Sequence, residues 1–223
     1  MVIADPDAAR TEVVAVARRM TADGLVVGTS GNVSCRCATA TRDDLVAVTP
    51  SGVDYATMTP DDVCVVDLDG AVVAGLLRPT SELPLHRACY RHPDAGAVVH
   101  THSTAAVAVS LLADEVPLVH YQTAMFGGPV AVTPYAPFGS DALAGHVAAA
   151  LAGRSAAVMR HHGTVVRAPS LSAAYDGARQ LEWMCDVWLR ASAAGAATGT
   201  APALLTRDQV DEIVERMAGY GQG

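Results

Sequence analysis

The segment that most constrains this chain is residues 95–103, Ala-Gly-Ala-Val-Val-His-Thr-His-Ser. Its apolar run reads as a buried β-strand. Residues two apart on a strand project to the same face, so the strand must deliver His100 and His102 side by side where it ends. Two imidazoles on one face of a rigid strand are half of a transition-metal site. Two packed histidines at a strand end would have the same spacing, so the pair by itself leaves both readings open.

The rest of the chain supplies the frame. Its 223 residues suit one large domain. No repeat or linker divides it, and the expectation is a single domain over residues 1–223. Apolar spacing predicts helices over residues 8–22, 81–92, 104–112, 141–151 and 171–193, with Ser103 capping the third, and a last helix from Thr206 to near Gly219. Strands are expected at 25–27, up to Arg36, and at 45–48, 63–68, 71–74, 156–160 and 164–166, with extended segments at 118–122 and 130–132. Residues 194–201 read as a small-residue loop. The alternation is α/β, and strands joined by tight turns predict a largely antiparallel sheet.

Charge and composition remove several function classes. The net charge is -8 with no basic run, which argues against nucleic acid. An acidic protein can still hold a phosphorylated small molecule where amides and hydroxyls cradle the phosphate. No apolar stretch reaches spanning length, so no membrane partner is expected. Residues 1–7 lack the basic-then-apolar order of a signal peptide. The five cysteines (35, 37, 64, 89 and 185) form no C-x-x-C pair. Reduced thiols in a cytoplasmic protein are the expectation.

A metal site built on His100 and His102 needs a third ligand and an open position for chemistry. Arg160-His161-His162-Gly163 lies at another strand end. Adjacent strand residues face opposite ways, so one of His161 and His162 can join. Glu82, in the first turn of the helix before the histidine strand, is placed for acid–base work, although a helix dipole also favours a carboxylate there. Thr80-Ser81-Glu82 brings hydroxyls and free amides to that helix start. Gly31-Asn32-Val33-Ser34 and Thr49-Pro50-Ser51-Gly52 are two further turns with small polar side chains.

Taken in order, Gly28-Thr29-Ser30-Gly31-Asn32-Val33-Ser34, Thr49-Pro50-Ser51-Gly52, Thr80-Ser81-Glu82, His100-Thr101-His102-Ser103 and His162-Gly163 resemble the class II aldolase/adducin family, from about residue 8 to Tyr220. The resemblance implies a three-layer α/β/α fold with a central, mainly antiparallel sheet, and a homotetramer with active sites at subunit interfaces. It implies one Zn2+ per subunit, bound by His100, His102 and His162. Glu82 matches the family's catalytic acid/base. Gly31, Asn32, Ser51, Gly52, Thr80 and Ser81 fall on the turns that hold the substrate phosphate. Tyr121 resembles a tyrosine given across the interface to the aldehyde oxygen, Tyr220 a C-terminal tyrosine that closes over the site, and Phe138 an aromatic near the aldehyde pocket.

The activity so implied is cleavage of a ketose 1-phosphate of the L-fuculose 1-phosphate type. The products are dihydroxyacetone phosphate and an aldehyde, and the metal steadies the enediolate. The chain has Thr80-Ser81 where the family often has two serines, and a hydroxyl survives. A 4-epimerase of L-ribulose 5-phosphate shares the fold but carries an aspartate where this chain has Glu82; other lyases and dehydratases of the family are further alternatives. An adducin-like interaction module would have lost the ligands, which are all present here.

Overall fold

A computed structural model describes residues 4–218, so Tyr220 lies outside the described residues. The chain opens with α1 (Pro6–Ala22), whose N-cap Asp5 accepts the amides of Asp7 and Ala8. A meander follows: β1 (Asn32–Cys37), β2 (Leu45–Val48), β3 (Cys64–Asp67) and β4 (Val72–Ala74). Helix α2 (Leu83–Tyr90) leads into β5 (Ala97–Thr101) and α3 (Thr104–Ser110). Then come β6 (Val132–Thr133), α4 (Asp141–Ala150), β7 (Ala156–Met159), β8 (Gly163–Ala168), α5 (Leu171–Thr198) and α6 (Arg207–Ala218).

The strands form one sheet in the order β4-β3-β2-β1-β5-β8-β7-β6. Every pairing is antiparallel except that of β6 with β7. Period-2 alternation divides its two faces. Val33, Cys35, Ala97 and Val99 pack with Val13, Ala17 and Met20 of α1 and with Leu181 and Met184 of α5. Val98 and Val165 point the other way, toward Leu85 and Cys89 of α2 and Leu143 and Val147 of α4. The result is the expected three-layer α/β/α arrangement. Each fully buried Leu or Met contributes about 1.5–3 kcal/mol. All five cysteines are free and buried. Among the described residues no helix is long and apolar enough to cross a membrane.

Four local expectations are corrected. Residues 25–27 are not a strand; they are tied to the sheet through Leu25, whose carbonyl accepts the His102 amide at 3.0 Å. Residues 118–122 do not continue extended, because the His120 ring accepts the Gln122 amide and starts a 3-10 turn over Tyr121–Phe126. Ser103 stands at the N-cap of α3 without capping it; its hydroxyl bonds Thr101 Oγ1 instead. Helix α5 runs on through most of the expected 194–201 loop and stops at Gly199, left-handed at φ 70°.

Candidate metal centre and phosphate pocket

The topology gathers the candidate residues at one end of the three central strands. β1 starts there, β5 ends there and β8 starts there, with Asn32 opposite His100 and Thr101 opposite Thr164. Two glycines allow the approach. A Cβ on Gly163 would lie 2.0 Å from the Thr101 carbonyl oxygen, and one on Gly31 2.7 Å from the His100 oxygen. Gly31 also sits at φ 72°, which favours glycine.

Between β7 and β8 the chain reverses in a short turn, with the His162 amide donating to Met159 O. His161 takes a left-handed conformation there, φ 58°, at a local cost of about 1–2 kcal/mol. That twist sends the two neighbouring rings different ways. His162 joins His100 and His102, and the His161 ring lies 6.0 Å from that of Tyr135.

The three rings form a near-equilateral triangle, with centroids 4.9, 4.9 and 4.8 Å apart. Glu82 completes it. Its Oε2 is 2.9 Å from His100 Nε2, and its Oε1 is 3.2 Å from His162 Nε2. One donor atom from each of the four residues falls within 4.8 Å of the others. His100 Nδ1 donates to Thr164 O at 2.8 Å, which leaves its Nε2 aimed at the carboxylate. Two lone pairs at that distance need a proton or a metal ion between them. His100 Nε2 and His102 Nε2 are 3.1 Å apart, close to the about 3.3 Å that tetrahedral zinc–nitrogen bonds would set. Glu82 Oε1 is buried with no hydrogen bond. Nitrogen-rich donors, a fixed tautomer and an orphaned carboxylate oxygen together fit a divalent transition metal.

The electrostatics agree with that fit. Burial opposes the Glu82 charge, but His100, His162 and the Asn32 amide hold its carboxyl far below the usual range. Burial alone would lower His100; the facing Glu82 charge raises it instead. His102 is lowered to about 3 and His162 to about 4, by burial and then by the charge on His100. Imidazoles that stay neutral keep a lone pair for a cation.

Beside this cluster lies a cavity of about 430 Å³. Gly31, Asn32, Ser51, Gly52, Thr80 and Ser81 all line it, together with Glu82, His102 and His162. Two of the three turns are stitched together: the Ser51 amide donates to Arg78 O, and the Thr80 amide to Thr49 O. The amides of Gly31, Gly52 and Ser81 take no acceptor among the described residues. They stand free for an anion, with the hydroxyls of Ser51 and Ser81. No arginine is among the described lining residues. Asn32 differs from its neighbours, since its side-chain amide lies between Glu82 and His86.

Phe138 lines the same cavity, as do Tyr135 and His161. Tyr121 is not among the described residues lining the cavity; it is 53% exposed, with its ring 4.5 Å from that of His120. Sequence reasoning missed His86. The signal was present: one helical turn separates it from Glu82, and Asn32 and Ser34 share a face of β1.

Residues 11–189 match the family described as the class II aldolase and adducin N-terminal domain. A 5-deoxy-D-ribulose 1-phosphate aldolase of Bacillus thuringiensis serovar kurstaki is 34% identical over 214 residues, covering 96% of this chain and 97% of that enzyme. The L-fuculose phosphate aldolase of Escherichia coli K12 is 36% identical over 204 residues, covering 91% and 90%. A solved structure of an L-fuculose 1-phosphate aldolase superposes with a TM-score of 0.86 at 29% identity, over 94% of this chain and 96% of the other.

Proposed function

The chain belongs to the class II aldolase and adducin family, and from that premise we propose that it is a zinc-dependent aldehyde-lyase. Its substrate would be a ketose 1-phosphate, cleaved to dihydroxyacetone phosphate and an unphosphorylated aldehyde. We place it in the cytoplasm as a homotetramer of single-domain subunits. The observation that carries the reading is the Glu82, His100, His102 and His162 cluster beside a pocket of free amides.

His100, His102 and His162 would hold the metal, which when bound acts as a Lewis acid on the ketone and its adjacent hydroxyl. The Gly31, Gly52 and Ser81 amides and the Ser51 and Ser81 hydroxyls fix the phosphate, and so set the reacting carbons against Glu82. Cleavage breaks the bond to the carbon bearing the departing oxygen. That oxygen loses its proton as the aldehyde forms, and the electron pair stays on the carbon next to the ketone. Glu82, a carboxylate at rest, takes up through solvent the proton that the departing oxygen releases and delivers it to this carbon, completing dihydroxyacetone phosphate; in the reverse direction it removes that proton. Tyr121 of a neighbouring subunit would serve the departing oxygen. Tyr135, Phe138 and His161 would face the aldehyde end.

Aldol cleavage has a metal-free route through a Schiff base on a lysine amine. This sequence contains no lysine, its 15 basic residues all being arginine, so that route has no nucleophile here. The test is to incubate the zinc-loaded protein with dihydroxyacetone phosphate and a panel of short aldehydes, and to identify the products. Carbon–carbon bond formation that is lost on chelation and restored by zinc is expected. No product with any aldehyde, or products that survive chelation, would defeat the reading.

A further inference from the structure

One buried histidine has no part in the chemistry above. His86 is fully buried on α2. Its Nε2 lies 2.5 Å from Asn32 Oδ1, and Asn32 Nδ2 lies 2.9 Å from Glu82 Oε2. On the other side of the ring, Nδ1 is 2.6 Å from Ser34 Oγ, which is 2.7 Å from the Tyr90 hydroxyl. Tyr90, Ser34, His86, Asn32 and Glu82 thus form one unbroken chain of buried hydrogen bonds.

The chemistry of its members fixes its direction. A carboxylate only accepts, so Asn32 meets Glu82 with its NH2 group and turns its carbonyl to His86. That carbonyl only accepts, so His86 carries a proton on Nε2. Among the described residues, the Tyr90 hydroxyl has no acceptor but Ser34 Oγ. Tyr90 therefore donates to Ser34, and Ser34 to His86 Nδ1. A proton on Nδ1 as well would leave one buried hydroxyl hydrogen without an acceptor, an expensive arrangement.

We propose that His86 is a positioning residue. Held as the Nε2–H tautomer by Ser34, it fixes the Asn32 amide, which anchors Glu82 Oε2 and leaves Oε1 as the oxygen that serves the reacting carbon. This rests on the assignment of Glu82 as the proton-transfer group. An unanchored carboxylate would rotate and exchange its two oxygens, so proton transfer would slow while the phosphate turns still bind.

The first test needs no activity. In the metal-free, 15N-histidine-labelled full-length protein near neutral pH, the His86 ring, assigned by its loss in His86→Gln, should show a bare Nδ1 and a protonated Nε2. The opposite tautomer, or a doubly protonated ring, overturns the proposal. The second test follows solvent-deuterium exchange into dihydroxyacetone phosphate by the zinc-loaded protein. His86→Leu should lower kcat about 30-fold with KM within about twofold, bound zinc unchanged.

His86→Gln can place an amide where Nε2 was, and should recover most of that loss. Equal losses in both variants, a rise in KM that accounts for the effect, or no loss in His86→Leu overturns it. Should His86→Leu fail to fold, Ser34→Ala removes the group that sets the tautomer and should lower kcat in the same sense; an unchanged kcat overturns the proposal. A wild type that exchanges no deuterium would sink the role of Glu82 itself, and the tautomer measurement separates that failure from failure of the His86 arrangement.

Discussion

The carboxylate of Glu182 grips the backbone amide of Ala105, 2.8 Å from Oε1, and takes the next amide, that of Ala106, with Oε2 at 2.9 Å. It thereby caps α3 from the middle of α5, a task that Ser103 leaves undone. These amides follow shortly after His102, so the cap steadies the chain where it leaves the candidate metal cluster. Glu182→Ala should lower stability by about 1–2 kcal/mol. Glu182→Gln, which keeps one acceptor, should fall between. Urea unfolding of the metal-free proteins measures both.

Gly163 admits no side chain without moving the Thr101 carbonyl. Gly163→Ala should push β8 from β5 beside His100 and the turn that carries His162, two of the proposed ligands. We expect a loss of about 3 kcal/mol, at the upper end for overpacking, and weaker zinc binding. Thermal unfolding and metal analysis after dialysis check the two effects separately.

Glu82 and the imidazoles should separate by function. Glu82→Gln leaves three nitrogen ligands and should retain zinc, while deuterium exchange into dihydroxyacetone phosphate falls about 100-fold or more. His102→Ala should lose both zinc and exchange. Full zinc occupancy in His102→Ala would remove it from the ligand set.

Tyr121→Phe should slow cleavage more than exchange, because the hydroxyl is assigned to the departing oxygen and not to the carbon. Its half-exposed position outside the cavity of its own chain predicts that a cleavage-impaired Tyr121→Phe subunit, mixed with a cleavage-impaired Glu82→Gln subunit, restores some cleavage on reassembly. Absence of any recovery in the mixture counts against a tyrosine shared between subunits.

Acid stability should carry a signature of His86. Burial, and then the His100 charge, lowers its pKa from 6.5 to about 3. Between those values the unfolded chain binds a proton that the folded chain refuses, so stability rises with pH. As pH falls below 6.5, His86 should remove up to about 1.4 kcal/mol per unit until about pH 3. His86→Gln should flatten the pH dependence of urea unfolding between pH 7 and 5, measured on metal-free protein.

Much of this architecture is legible in the sequence where local chemistry and tertiary demand agree. The alternation in β5 places His100 and His102 together, and Gly163 marks where His162 must turn. The failures have specific causes. Residues 25–27 have the composition of a strand, but left-handed Gly24 and Gly28 bracket them and the backbone meets the sheet through one hydrogen bond. The segment after Ala193 looks like a loop because its residues are small, yet alanine is the strongest helix former, and the stop comes only at Gly199. Asn32 sits on a turn of phosphate-binding composition, and nothing local reveals that its amide faces Glu82 and His86. That pairing depends on β1 lying under α2, a long-range fact.

A phosphate held by main-chain amides, as proposed, would have a consequence for descent. A side-chain grip is lost by one codon change, whereas a backbone amide is supplied by almost any residue that preserves the turn. The proposed grip by the Gly31, Gly52 and Ser81 amides would therefore be inherited with the loop geometry. Tyr135, Phe138 and His161, side chains that line the same cavity, would be exchanged singly. On the proposed function, a lineage built on this scaffold would change the aldehyde it handles without relearning how to hold the phosphate.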